Sequence, residues 1–182
     1  MATAKRLYLY VVSATGLGMA IFGAVSMLHL LLNKIGVGPQ SSAASSLTSN
    51  ADKDQLSVAI AVGVVGLALW LIHWAIAERM VRGSSEVAAA ERASIVRSVY
   101  FAVVMAVTLG AAASLAVQLA GDSLANGLNA RQSFSFQVVD DSWSLAAIIV
   151  LFAVWAHYAW CRAHDIRQGT PITGAAAWVS RL

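Results

Sequence analysis

Charge is what this chain has least of. Only 12% of its 182 residues are charged, where soluble domains carry about 25%. A water-soluble core is therefore not the frame in which to read it. One cysteine, Cys161, excludes an intrachain disulfide and a cysteine-built metal cage. At a helix end it suits either a small apolar residue or a lipidated thiol. Both prolines, Pro39 and Pro171, and all nine acidic residues fall outside the long apolar runs. Proton-coupled transport usually rests on intramembrane ionisable groups or broken helices, so their absence counts against a transporter. No His-Glu-x-x-His, Gly-x-Ser-x-Gly or phosphate-loop pattern occurs, which argues against hydrolytic and phosphoryl-transfer catalysis. The expectation is a non-enzymatic protein with no nucleic-acid partner.

What the chain has in excess is apolar length: 59% of its residues are hydrophobic. Four runs, about 7–32, 56–77, 98–120 and 144–161, each approach or exceed the roughly 20 helical residues that cross a bilayer. The first follows Lys5 and Arg6, but it is too long for the ~7–15-residue core of a signal peptide and reads as a retained span. The fold expected is all-α: one polytopic membrane domain of four transmembrane helices in the lipid bilayer. Small residues recur every four positions as Gly16, Ala20 and Ala24 and as Ala102, Ala106, Gly110 and Ser114, with Gly66 in the second run. Such stripes let helices approach closely. They are the expected packing faces, toward this chain, other membrane subunits or a second copy.

Between the spans, Gly36, Gly38 and Pro39 open a polar loop over 33–55, where Asp52 or Asp54 is a candidate cap for the second helix. Residues 85–92 suit a short interfacial helix. Phe134 to Val138 alternates with period two, as an extended piece would, and the tail ends in a weakly amphipathic stretch holding Trp178.

Basic residues fix the expected orientation. Nine of the twelve Lys and Arg lie in the N-terminus, the middle loop and the tail, and Lys34, Lys53 and Arg131 make up the rest. By the positive-inside rule both termini are cytoplasmic, in a cell inner (plasma) membrane.

The pattern Trp70-Leu71-Ile72-His73-Trp74-Ala75 returns as Trp155-Ala156-His157-Tyr158-Ala159, with the histidines 84 positions apart. Arg6-Leu7-Tyr8-Leu9-Tyr10 likewise resembles Arg97-Ser98-Val99-Tyr100-Phe101. Residues 1–80 and 92–165 thus read as an internal repeat. Two spans per unit give the halves the same direction, a parallel repeat of two helices each. The Arg-x-Tyr-x-Tyr span, the Trp-x-x-His-Trp-Ala span and the linker Arg92-Ala93-Ser94-Ile95-Val96-Arg97 together resemble a bacterial family of four-helix membrane proteins known only as a domain of unknown function. That resemblance implies the architecture and no activity.

The duplicated histidines leave two readings open. His73 and His157 can belong to an interfacial belt with Tyr8, Tyr10, Trp70, Trp74, Tyr100, Trp155, Tyr158 and Trp160, whose polar tips meet headgroup water. They can instead ligate a tetrapyrrole metal, haem b or a chlorophyll-type pigment, shared or one each. Ala153-x-x-x-His157 is similar to the Ala-x-x-x-His pattern of light-harvesting polypeptides. His29, beside Asn33, lies near the outer end of the first span, and His164 lies beyond the fourth. Two functions follow: an accessory or structural subunit of a larger membrane complex, or a haem- or chlorophyll-binding membrane protein.

Overall fold

A computed structural model of the chain describes residues 3–35, 50–82, 85–127 and 141–167. It forms five helices: α1 (Thr3–Lys34), α2 (Asn50–Val81), α3 (Glu86–Arg92), α4 (Ile95–Gly127) and α5 (Asp141–Arg167). All except the short α3 are long and apolar enough to cross a membrane. The protein is a multi-pass, all-α membrane protein of four spanning helices. Lipid offers no partners to backbone amides, so uninterrupted helices satisfy them internally.

Each span runs past the apolar limits read from the sequence. Residues 50–55 and 121–127 are helical rather than loop, because Ala, Leu and Gln sustain a helix beyond the hydrocarbon edge. Asp52 and Asp54 consequently sit inside α2 instead of capping it. The expected helix over 85–92 is α3, and the Ser85 hydroxyl accepts the Ala88 amide at its start. The extended piece over 134–138 and the tail with Trp178 lie outside the described residues.

Helix α1 is central. It packs along α2 on one side and α5 on the other, and α5 in turn packs along α4. Ring contacts give the directions: Tyr8 meets His73, so α1 and α2 are antiparallel. Tyr10 meets Tyr100 and Trp74 meets Tyr158, so α1 runs with α4 and α2 with α5.

The α1–α2 seam is made by glycine. A Cβ placed on Gly23 would overlap the Gly63 Cα, and one on Gly16 would lie 2.6 Å from the Trp70 backbone nitrogen. One on Gly66 would lie 2.5 Å from the Ala20 nitrogen. Gly16 and Ala20 occupy this seam as the stripe suggests, but its third member is Gly23, while Ala24 is exposed. Steps of four residues advance about 40° beyond a full turn each time, so Ala24 has drifted about 80° from Gly16.

On α4 the buried face is Arg97, Phe101, Val104, Thr108 and Ala112. Ala106, Gly110 and Ser114 follow those positions by two residues and lie on the opposite side, exposed, with nothing within 4 Å of a Cβ on Gly110. Ala102 is half-buried. Three of this stripe's four residues are thus exposed rather than packed into the described bundle.

Candidate functional site

The polar side chains gather where α1 and α4 begin and α2 and α5 finish. Arg97 is among the most enclosed residues of the protein, 1% exposed. It enters α4 one turn ahead of Tyr100 and Phe101, on the inward face. Its Nη2 donates to Glu78 Oε1 of α2 at 2.8 Å and its Nε to Asp165 Oδ2 of α5 at 2.9 Å. Its Nη1 lies 3.5 Å from the Tyr10 hydroxyl of α1. The guanidinium also covers the Phe101 ring at 4.8 Å and the Trp74 ring at 5.6 Å. One arginine therefore ties all four spans together. Its planar fork of fixed donors suits several oxygens at once and its faces suit aromatic rings.

A second tier lies one turn deeper. The Trp70 indole nitrogen of α2 donates to the Tyr158 hydroxyl of α5 at 2.9 Å. That hydroxyl is 2.7 Å from the Tyr100 hydroxyl of α4, which is 3.3 Å from Ser13 Oγ of α1. Again each span contributes one group. Buried hydroxyls without partners are costly, and this chain gives each one a partner.

These tiers correct the belt reading for half of its members. Tyr10, Trp74, Tyr100 and Tyr158 are buried in one aromatic cluster with Phe101 and Cys161, because their polar tips bond to one another or to Arg97, or their rings pack there, rather than reaching water. Tyr8 and Trp160 remain exposed, at 60% and 66%. Trp70 is half-buried, and Trp155 stacks on Phe152 at its own helix surface. Cys161 is buried in that cluster, which favours its reading as a core residue over a lipidated thiol.

The linker that carries the family resemblance has a physical role at each polar position. Arg92 Nη1 donates to the Val81 carbonyl at the end of α2. Ser94 Oγ accepts the Arg97 amide at 3.3 Å and so starts α4. Arg97 is the hub. Beside it, Arg6 is bound to Glu91 Oε1 at 2.7 Å, which fastens α1 to α3.

The two repeated histidines face different neighbours. His73 lies against Tyr8 of α1, and its Nδ1 is 2.8 Å from the Leu69 carbonyl. A carbonyl only accepts, so Nδ1 carries the proton and Nε2 of the neutral ring keeps its lone pair. His157 is edged by Trp70, Trp74 and Tyr158, with Nε2 3.7 Å from Cys161 Sγ. Among the described residues no three His, Cys, Asp or Glu side chains converge as a metal site.

At the opposite end, Ser142 Oγ donates to Asn33 Oδ1 at 2.6 Å and lies 3.0 Å from His29 Nδ1, while Asn33 Nδ2 is 3.2 Å from His29 Nε2. A His29 ring protonated on Nδ1 makes every member of this triangle both donor and acceptor. The cluster locks α1 to the start of α5. Exposed His164 stacks on Trp160.

Glu78, Arg97, Asp165 and Ser13 were not singled out from the sequence, because the first three fall just outside the apolar runs. Their signal was their register. Glu78 follows Trp74 by four, Arg97 precedes Phe101 by four, and Asp165 follows Tyr158 by seven, so each charge continues an aromatic face.

No curated protein and no solved structure matches the chain. Residues 6–141, most of its length, match a family described as a domain of unknown function (DUF5671), and the chain belongs to that family.

Proposed function

We propose that this protein is a non-enzymatic accessory or structural subunit of a larger membrane assembly, set in the inner (plasma) membrane with both termini inside. The observation that carries this reading is the outward face of α4. Ala106, Gly110 and Ser114 form a small-residue stripe with open space beside it, while the comparable glycines of α1 and α2 meet backbone to backbone. In lipid, helix association depends on such close van der Waals approach. The polar interior supports the same reading, since its arginine, carboxylates and hydroxyls are bound to one another across the four spans. The test is purification from native membranes in mild detergent. A stoichiometric membrane partner that Gly110→Leu releases is the expected result. A wild-type chain that purifies alone, unchanged by Gly110→Leu, overturns it.

A second reading has its own observation. The His73 Nδ1–H···O=C bond to Leu69 orients the ring as metal-ligating histidines are commonly oriented, with Nε2 left to bind. His73 would then be the axial ligand of a haem b or chlorophyll-type group, which would supply redox or light-absorbing chemistry. His157, enclosed by two tryptophans and Tyr158, suits a core role better than a share of that site. A coloured purified protein that loses its band in His73→Ala and keeps it in His157→Ala supports this. A colourless protein disposes of it.

A further inference from the structure

We propose that the Arg97 end of the bundle carries a binding rim for anionic phospholipid headgroups, made by Lys5, Arg79, Arg82 and Arg167. The proposal rests only on the chain being a multi-pass membrane protein, not on its having a protein partner.

In the sequence the segment between the second and third apolar runs is nearly balanced: Glu78, Glu86 and Glu91 are interspersed with Arg79, Arg82, Arg92 and Arg97. Folding sorts those charges. Glu78 and Asp165 turn inward onto Arg97, and Glu91 turns onto Arg6. Of the described carboxylates at this end, Glu86 alone is exposed, whereas Lys5, Arg79, Arg82 and Arg167 all are. The outward rim is therefore more cationic than the near-balance of that segment suggests.

Its depth is right for headgroups. Lys5 opens α1, Arg79 lies in the last turn of α2 with Arg82 just beyond it, and Arg167 ends α5. Exposed Tyr8 lies within one helical turn of Lys5 on α1 and exposed Trp160 two turns before Arg167 on α5, where aromatic rings meet the interface. Long Lys and Arg stems can lie along the helices with their charges among the phosphates. A phosphodiester oxygen pair suits the guanidinium fork. In phosphatidylcholine the headgroup's own cation opposes that attraction, and in phosphatidylglycerol nothing does. Among the described residues at the other end, exposed Lys34 and Lys53 are equalled in number by exposed Asp54 and half-buried Asp122. The preference should thus belong to one leaflet.

The full chain, purified in detergent, is titrated with phosphatidylglycerol or phosphatidylcholine of identical acyl chains, and bound lipid is counted by native mass spectrometry. Phosphatidylglycerol should be retained about tenfold better at low salt, a preference that shrinks as salt rises. The combined variant Lys5→Gln, Arg79→Gln, Arg82→Gln should bring the two lipids to about equal retention. These side chains are exposed and outside the Arg97 cluster, so helical circular dichroism should be unchanged. Should the triple variant misfold, each single variant should still cut the preference about two- to fivefold. Lys34→Gln with Lys53→Gln, at the far end, should leave it intact. Equal retention of both lipids by the wild type overturns the proposal, as does a preference lost only in the far-end variant.

Discussion

The first pair of spans and the second are joined by opposite means. In the first, α1 and α2 meet through Gly16, Gly23, Gly63 and Gly66, so close that a methyl group on Gly16, Gly23 or Gly66 would strike the opposing backbone. In the second, Tyr100, Phe101 and Val104 of α4 pack with Tyr158 and Cys161 of α5 in one side-chain cluster, and the small stripe of α4 is turned away. Similar sequence patterns in the two pairs thus do not bring similar packing. The first half gains from proximity of backbones, the second from interlocked rings and hydrogen bonds, with Arg97 bridging both.

The largest effect should come from filling the backbone contact. Gly23→Leu cannot be absorbed by rotating a side chain, because the obstacle is the Gly63 backbone. Thermal unfolding in detergent should show a loss of about 3 kcal/mol or more, or separation of the helices. An unchanged melting curve would show that the glycine seam is not what holds α1 to α2.

Next comes Arg97→Met, which removes the cation that Glu78 and Asp165 share. A loss of about 3–5 kcal/mol is expected. Arg97→Met combined with Glu78→Gln and Asp165→Asn should recover part of it, since the two partly buried carboxylates are then neutral. No recovery would mean that the arginine acts through its stacking on Phe101 and Trp74 rather than through its ion pairs.

Tyr158→Phe keeps the ring and deletes the shared hydroxyl, leaving the Trp70 indole N–H without its acceptor. The cost should be about 1–3 kcal/mol, read from the same melting curves, with Tyr100→Phe coupled to it in a double-mutant cycle. Strict additivity would show that the hydroxyls do not act as one chain.

The smallest effect, in the chain on its own, should be Gly110→Leu. With open space beside Gly110, the isolated protein should melt within about 0.5 kcal/mol of the wild type. A clear loss would place a helix against that face. The contrast between Gly23→Leu and Gly110→Leu is the sharpest measure of how differently the halves are built.

Much of this was legible in the residues. Apolar length gave the four spans, and the stretch over 85–92 was expected as the short helix that is α3. The face shared by Gly16, Ala20 and Gly66 was visible as well. Ala24 was misplaced because a strict four-residue spacing winds off the contact line that 16, 20 and 23 follow. Tyr10, Tyr100, Trp74 and Tyr158 read as a belt because aromatics near span ends usually are one. That the Tyr100 and Tyr158 hydroxyls meet, and that of Tyr10 meets Arg97, depends on three helices arriving together.

By itself the sequence determined that this is an all-helical, multi-pass membrane protein. Crossing a bilayer demands only local properties: length, apolarity and an unbroken backbone hydrogen-bond ladder. It also placed an imidazole among aromatics near the ends of two spans. Only the tertiary structure decided which small residues close a seam and which face outward, and which charges are hidden and which form a rim. In lipid every apolar face is equally at home, so the choice among faces follows from the fit of one helix against another. That fit joins residues as far apart as Gly16 and Trp70, or Glu78, Arg97 and Asp165, which no local pattern connects.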